Sequence, residues 1–249
     1  MINYQGGKSR LGKHIYGAIL DVEKEFNKTS EPLPYFEPFC GMLGVMRHFA
    51  KDEGSNRSLS ACDKNDDLVQ MLRAVQRGWQ PPKTCSAEEF HKLKYSKRSS
   101  FKRTFIGFAC SYSGMFFSGF RGKYWDNPNY PLENANRNVK AFRAILQKVT
   151  FCKKGQSYDS FKPKGKLIYC DPPYVNNDLG QSNKFFYFDD EPFWNTMREW
   201  SQTNIVLISN SSAPSDFKRI FTKERRHGKK GDRSFEENLY VYKGQNPID

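Results

Sequence analysis

The sequence predicts an α/β fold of Rossmann-like order, interrupted once by a mostly helical inserted module. Three observations predict it. Apolar runs of strand length end in an acid followed by a turn, as at Tyr35 to Cys40, Ser58 to Asp63 and Lys166 to Asp171. Helical periodicities alternate with those runs. Between residues 78 and 149 the alternation stops and the chain turns basic, aromatic and rich in Ser and Asn.

The elements follow in order. Residues 9–26 carry Leu11, Ile15, Ile19, Val22 and Phe26 at helical intervals, with Ser9 placed to cap the helix. Pro32 and Pro34 break that pattern. Residues 35–40 then read as a strand, 41–44 as a turn and 45–51 as a helix. A second strand over 58–62 ends at Asp63, and a helix follows over 68–77. The inserted segment, 78–149, holds helices near 87–94 and 136–146. Afterwards a strand is expected over 166–170, a helix over 190–200 capped by Asp189 or Asp190, a strand over 204–209, a helix over 215–221 and a strand over 237–242. Residues 225–233 form a Gly-containing basic loop or hairpin. The predicted organisation is therefore a body of 1–77 and 150–249, with 78–149 inserted; 249 residues suffice for one sizeable core with such an insertion.

A formal charge of +13 with a pI near 9.4 accompanies 15% aromatic residues, so the surface attracts polyanions and offers stacking platforms. Nucleic acid is the expected partner. The charge is uneven: Lys92, Lys94, Lys97, Arg98, Lys102, Arg103, Arg121 and Lys123 lie between Phe90 and Trp125 with no acid among them. Aromatics interleave with these cations, which suits phosphate contacts beside base stacking better than a merely solvated face. The six cysteines form no C-x-x-C pair, and the four histidines show no metal-ligand spacing. The cysteines read as buried thiols of a reducing compartment, with neither a disulfide framework nor a metal site expected. No apolar stretch approaches bilayer length and no signal peptide is recognisable, so a soluble intracellular protein without membrane partners is expected.

The most informative residues are Asp171-Pro172-Pro173-Tyr174, set after an apolar strand. A carboxylate and the Pro172 carbonyl side by side can accept both N–H bonds of an exocyclic amine, while Tyr174 can stack on the ring that bears it. Plain turn punctuation would use the same residues. Upstream, Glu37-Pro38-Phe39-Cys40-Gly41 ends a strand in a glycine turn that a ligand can approach closely. Asp63, about twenty residues on, ends the next strand where α/β nucleotide folds bond ribose hydroxyls. Together they indicate a nucleoside-bearing cofactor. Gly6-Gly7-Lys8-Ser9 fails the phosphate-loop spacing, because Ile2 stands where the leading glycine belongs. It reads either as a turn bringing Lys8 and Tyr4 to the carboxylate end of a cofactor or as a simple helix lead-in.

These segments, with Cys62-Asp63-Lys-Asn-Asp-Asp-Leu68 and Tyr112-Ser113-Gly-Met-Phe116-Phe117-Ser-Gly-Phe-Arg121-Gly, resemble in order the Dam-type (D12 class) DNA adenine-N6 methyltransferases in their alpha arrangement. The resemblance covers nearly the whole chain. It implies a Rossmann-like fold binding S-adenosylmethionine, with Tyr4, Lys8, Asp63 and Asp171 at cofactor-touching positions. It also makes Asp171, Pro172, Pro173 and Tyr174 the catalytic loop and the insertion a target-recognition domain. Where the family has a second glycine in its turn, this chain has Leu43, or the glycine is shifted by one to Gly44. Where GATC-recognising relatives carry an arginine, it has Phe117, which cannot bond guanine O6 and N7 in two places, so GATC specificity does not carry over.

The implied reaction is direct methyl transfer to N6 of an adenine flipped out of double-stranded DNA, with no metal. Lys92, Lys94, Lys97, Arg98, Lys102, Arg103, Arg121 and Lys123 would contact phosphates. Tyr112, Ser113, Phe116 and Phe117 would contact bases or fill the gap left by the flipped one, although each aromatic fits equally as core of the module itself. Phe185, Phe186, Tyr187 and Phe188 would wall the pocket or simply pack. The rival readings are an RNA adenine methyltransferase and an inactive nucleic-acid-binding relative. The resemblance places the protein in the cytoplasm of a prokaryote, or of the host if phage- or virus-encoded. It allows a cognate restriction endonuclease acting on the same site and leaves the recognition sequence open.

Overall fold

A computed structural model describes residues 4, 7–124, 127, 129–173, 190–227 and 233–249. Seven strands among them are β1 (Tyr35–Glu37), β2 (Leu59–Ala61), β3 (Val149–Phe151), β4 (Leu167–Cys170), β5 (Ile205–Asn210), β6 (Phe217–His227) and β7 (Arg233–Tyr242). They form a sheet in the order β3-β2-β1-β4-β5-β7-β6. This is the Rossmann-like methyltransferase order, in which the sequence of strands across the sheet reverses between β1 and β4, themselves parallel, and a late antiparallel strand lies beside β5. The chain packs as two compact units.

The second unit is made of Arg10–Phe39, Asp52–Ser60 and Ser157–Asp249. Here β1 and β4 run parallel, with Tyr35 opposite Leu167 and Phe36 opposite Ile168. β5 continues parallel to β4 from Leu167 opposite Ile205 to Cys170 opposite Ile208. Every residue of β4 and β5 is buried, which is why both read as continuous apolar runs and not as alternation. Helix α1 (Gly12–Phe26) turns Ile15, Ile19 and Val22 inward. Its Glu23 receives two hydrogen bonds of 2.7 Å from the Arg57 guanidinium and one of 2.9 Å from Leu33 N–H, joining the helix to the entry of the strands. The start of α1 differs from expectation: residues 9–11 form a turn first, the N-cap is Leu11, and Ser9 does not cap.

A second difference is larger. Residues 215–221, expected as a helix, enter strand β6, which pairs with β7 from Phe217 opposite Tyr242 to His227 opposite Arg233. The spacing of Phe217, Ile220 and Phe221 fits a helix locally, and pairing along a whole partner strand outweighs it.

The first unit is made of Met1–Ser9, Cys40–Lys51 and Ala61–Gln156, and so contains all of the 78–149 segment. Its helices are α2 (Met46–Ala50), α3 (Asp66–Gln76), α4 (Ala87–Tyr95), α5 (Phe101–Ala109), α6 (Tyr130–Arg137) and α7 (Val139–Gln147). Asn65, Ser86 and Ser100 cap α3, α4 and α5 by accepting from Leu68, Glu89 and Arg103 N–H. The cysteine expectation is overturned at one pair: Cys62 and Cys152 form a disulfide across 90 residues. The link arises because Cys152 N–H bonds Ala61 O at 3.1 Å, so a strand pairing invisible in the sequence brings the two together. Cys40, Cys85, Cys110 and Cys170 are buried and outside that disulfide, as expected of small apolar residues. No helix among the described residues is long and apolar enough to cross a membrane.

Candidate active site

In the first unit the glycine turn after Phe39 is shaped by close approach. Gly41 has φ +46°, and a Cβ there would stand 3.1 Å from the Tyr4 ring. A Cβ on Gly44 would stand 2.9 Å from the Lys8 backbone nitrogen. The two glycines thus let the segment carrying Tyr4 and Lys8 lie against the turn, and Lys8 is buried there. Tyr4 also packs on Phe108, ring centroids 5.1 Å apart. Leu43, between the two glycines, takes φ 58° despite its side chain.

Asp63 closes this constellation. Its carboxylate accepts from Gly41 N–H at 3.0 Å and from Asn65 N–H at 3.0 Å, one bond to each oxygen. Burial pushes its carboxyl above the ordinary value, and those two bonds pull the other way. Each oxygen keeps a further lone pair, so the fixed carboxylate can also accept from a ligand hydroxyl. Of the cofactor candidates, Tyr4, Lys8, Gly41 and Asp63 therefore belong to one unit.

In the second unit, β1 and β4 end beside each other at the reversal point of the sheet, the place where open α/β sheets take ligands. Glu37 is buried at the end of β1 and accepts from Tyr35 O–H at 2.8 Å. Asp171, half-buried, follows Cys170 at the end of β4; Pro172 is buried and Pro173 exposed. Burial, with the charges of Asp171 and then Glu37, pushes the Cys170 thiol well up, and burial followed by Glu37 does the same to Tyr35. Tyr169 and Ser209 share a 2.7 Å hydrogen bond that ties β4 to β5 just before the loop. Phe39 sits in an aromatic triangle with Tyr158 at 5.3 Å and Phe193 at 5.9 Å. Tyr35, Tyr158 and Phe193 carried no sequence signal for a site beyond being aromatic. Tyr174, Phe185, Phe186, Tyr187, Phe188 and Asp189 lie outside the described residues, as does the side chain of Lys123.

The basic module sorts its candidates by exposure. Lys92, Lys97 and Arg98 are exposed and Lys94 and Arg121 half-buried. Lys102 is exposed and pairs with Glu89 at 2.5 Å. Arg103 donates to Leu93 O and Lys94 O at the end of α4, and its guanidinium lies 5.4 and 5.1 Å from the Phe116 and Phe117 rings. Phe117 is buried against Phe90 and belongs to the module's own core, and half-buried Phe116 packs on Phe108. Tyr112 and Ser113 are exposed instead, at the tip of a loop closed by the Ser111–Phe120 bridge, with Ser113 at φ 54°.

No family model matches the chain, and no curated protein matches it. Solved structures similar to it include two determinations of the rRNA methyltransferase aviRa from Streptomyces viridochromogenes. Their TM-scores are 0.43 and 0.41 at 10% identity, covering 93% of this chain and 84% of that one.

Proposed function

We propose that the chain is an S-adenosylmethionine-dependent methyltransferase acting on N6 of an adenine flipped out of double-stranded DNA. The observation that supports this most is the exit of Asp171-Pro172-Pro173 from the carboxyl end of β4, beside the reversal point of a Rossmann-like sheet. Tyr4, Lys8, Gly41 and Asp63 would hold the cofactor, with Glu37, Pro38 and Phe39 leading into the turn. The residues fit that role: the turn admits close backbone approach, and Asp63 is a fixed acceptor with lone pairs to spare. When bound, S-adenosylmethionine supplies an electrophilic methyl group.

The carboxylate of Asp171 and the carbonyl of Pro172 would accept the two N–H bonds of the adenine amine and so direct the nitrogen lone pair. The same carboxylate would stabilise the positive charge that develops on N6. Tyr174 enters on its sequence position alone, as the ring that covers the base. Exposed Lys92, Lys97, Arg98 and Lys102, with Lys94, Arg121 and Lys123, would make the phosphate contacts, while Arg103, bonded to Leu93 O and Lys94 O, would instead hold the end of α4. Tyr112 and Ser113 are the candidates for base contacts, and a cognate restriction endonuclease would share the recognition site.

The test is incubation of duplex DNA, single-stranded DNA and RNA with labelled cofactor, followed by nucleoside analysis. N6-methyladenine in the duplex sample is expected. Asp171→Ala should lower turnover by about a hundredfold or more while duplex retention stays near wild type. Near-normal turnover by that variant, or no N6-methyladenine in DNA, would overturn the proposal.

A further inference from the structure

β7 is bonded to β5 only from Tyr240 opposite Ile208 to Asn238 opposite Asn210. Its ladder with β6 does not stop there. Five further pairs follow: Lys223 with Glu237, Glu224 with Glu236, Arg225 with Phe235, Arg226 with Ser234 and His227 with Arg233. At about 3.4 Å per residue, the two strands run roughly 17 Å beyond the last β5 pair as a ribbon of two. Because β4 and β5 are parallel and β7 antiparallel, the ribbon leaves the same edge of the sheet as Asp171. Thr222, Lys223 and Glu224 are exposed in succession, so at its base β6 is open on both faces.

Composition changes along the ribbon. At the base, acids offset cations: Glu236 lies 3.9 Å from Arg219, and Glu237 is buried. Farther out the two strands carry Arg225, Arg226, His227 and Arg233 with no acid. Cations on an edge strand also discourage pairing with a second chain, and that accounts for Lys218, Arg219 and Lys223 on β6. It does not account for cations on both strands, or for a ladder that continues where the sheet has ended.

We infer that the β6–β7 ribbon is a second nucleic-acid contact, entering the major groove of B-form DNA beside the target base. The inference rests on the proposed function and adds an element to it. A two-stranded ribbon fits the wide major groove of B-DNA, whereas the major groove of A-form RNA is too narrow and deep to admit one. The outer arginines would contact phosphates on the groove walls, and the ribbon would act in holding DNA without touching the reacting atoms.

Two variants test this in the full chain: Arg225→Ala/Arg226→Ala, and a shortened hairpin in which Asn-Gly joins Lys223 to Glu237. Binding to a duplex of about 30 base pairs is measured by fluorescence anisotropy over a salt series, with an A-form RNA duplex in parallel and circular dichroism as the folding control. For folded Arg225→Ala/Arg226→Ala we expect Kd for DNA to rise tenfold or more and the slope of log K against log salt to become shallower by about two, one for each phosphate lost, with a larger loss for the shortened hairpin, which removes five Lys or Arg. kcat at saturating DNA should be unchanged and RNA binding unaltered. Unchanged Kd and salt slope in both variants would overturn the ribbon contact and leave the proposed function standing. An equal loss on the RNA duplex would overturn the choice of B-form DNA. Absence of methyl transfer by the wild-type chain overturns the proposed function instead, and the ribbon is then judged by the binding series alone.

Discussion

Leu43 holds φ 58° while its side chain is completely buried, so one residue combines an unfavourable backbone with a favourable core contact. Leu43→Gly should lose core packing, yet it should be more stable than Leu43→Ala by about 1 kcal/mol, because only glycine takes a left-handed φ without penalty. Thermal unfolding of the pair decides it, and an alanine variant as stable as the glycine one would refute the strain. Asp63 offers a second test. Burial raises its carboxyl pKa, so the native chain holds that proton more tightly than the unfolded chain. Its contribution to stability is accordingly greatest below the unfolded value and falls as pH rises through the native one. A ligand hydroxyl bonding the carboxylate favours the ionised form. Below the native pKa, cofactor binding should therefore release a proton, and affinity should drop there by about tenfold per pH unit. Calorimetry in two buffers of different ionisation enthalpy measures the release, and Asp63→Asn should abolish it. The sequence marked both residues, Leu43 as a departure from the family turn and Asp63 as an acid at a strand end. The left-handed backbone of Leu43 and the two amides on Asp63 come from the turn that folds over them.

Helix α5 shows how an element is fixed by what packs on it. Gly107 lies inside it, and a Cβ there would stand 2.4 Å from Cε2 of Phe116 and 2.7 Å from Cε2 of Phe117. Phe117 N–H bonds Gly107 O at 3.0 Å, so the loop after the helix is drawn onto the bare face. In an exposed helix, glycine to alanine stabilises by up to about 1 kcal/mol. Here Gly107→Ala should instead destabilise by about 1–3 kcal/mol through overpacking, read as a lowered denaturant midpoint with unchanged slope. A raised midpoint would disprove the close approach. The sequence showed α4 and all but the last residue of α7, but neither α5 nor most of α6, since α6 buries only Pro131, Leu132 and Ala135 among eight residues and presents little periodicity. Likewise β3 buries only Val149 of its three residues and presents no apolar run, unlike β1, which is as short but buried throughout. Long, fully buried β4 and β5 were legible because a strand covered on both faces must be apolar throughout.

Across the whole molecule the Cys62–Cys152 disulfide closes a loop of 90 residues. By the chain-entropy estimate such a link is worth about 4–5 kcal/mol, most of it through restriction of the unfolded chain. Reduction should lower the denaturant midpoint accordingly, and thiol titration of the unreduced, unfolded protein should find four thiols among the six cysteines. Six would exclude the link. What the sequence by itself determined is the α/β class, the strands that end in Glu37, Asp63 and Asp171, and the basic aromatic character of the inserted segment, because burial, turn chemistry and charge are properties of short stretches. Only the tertiary structure decided that residues 217–227 form a strand, that Cys62 meets Cys152, that Arg103, Phe116 and Phe117 face inward while Tyr112 and Ser113 face out, and that a ribbon runs on past β5. Each of those depends on a partner distant in the chain, and pairing energies between distant segments outweigh the weak preferences that any local window contains.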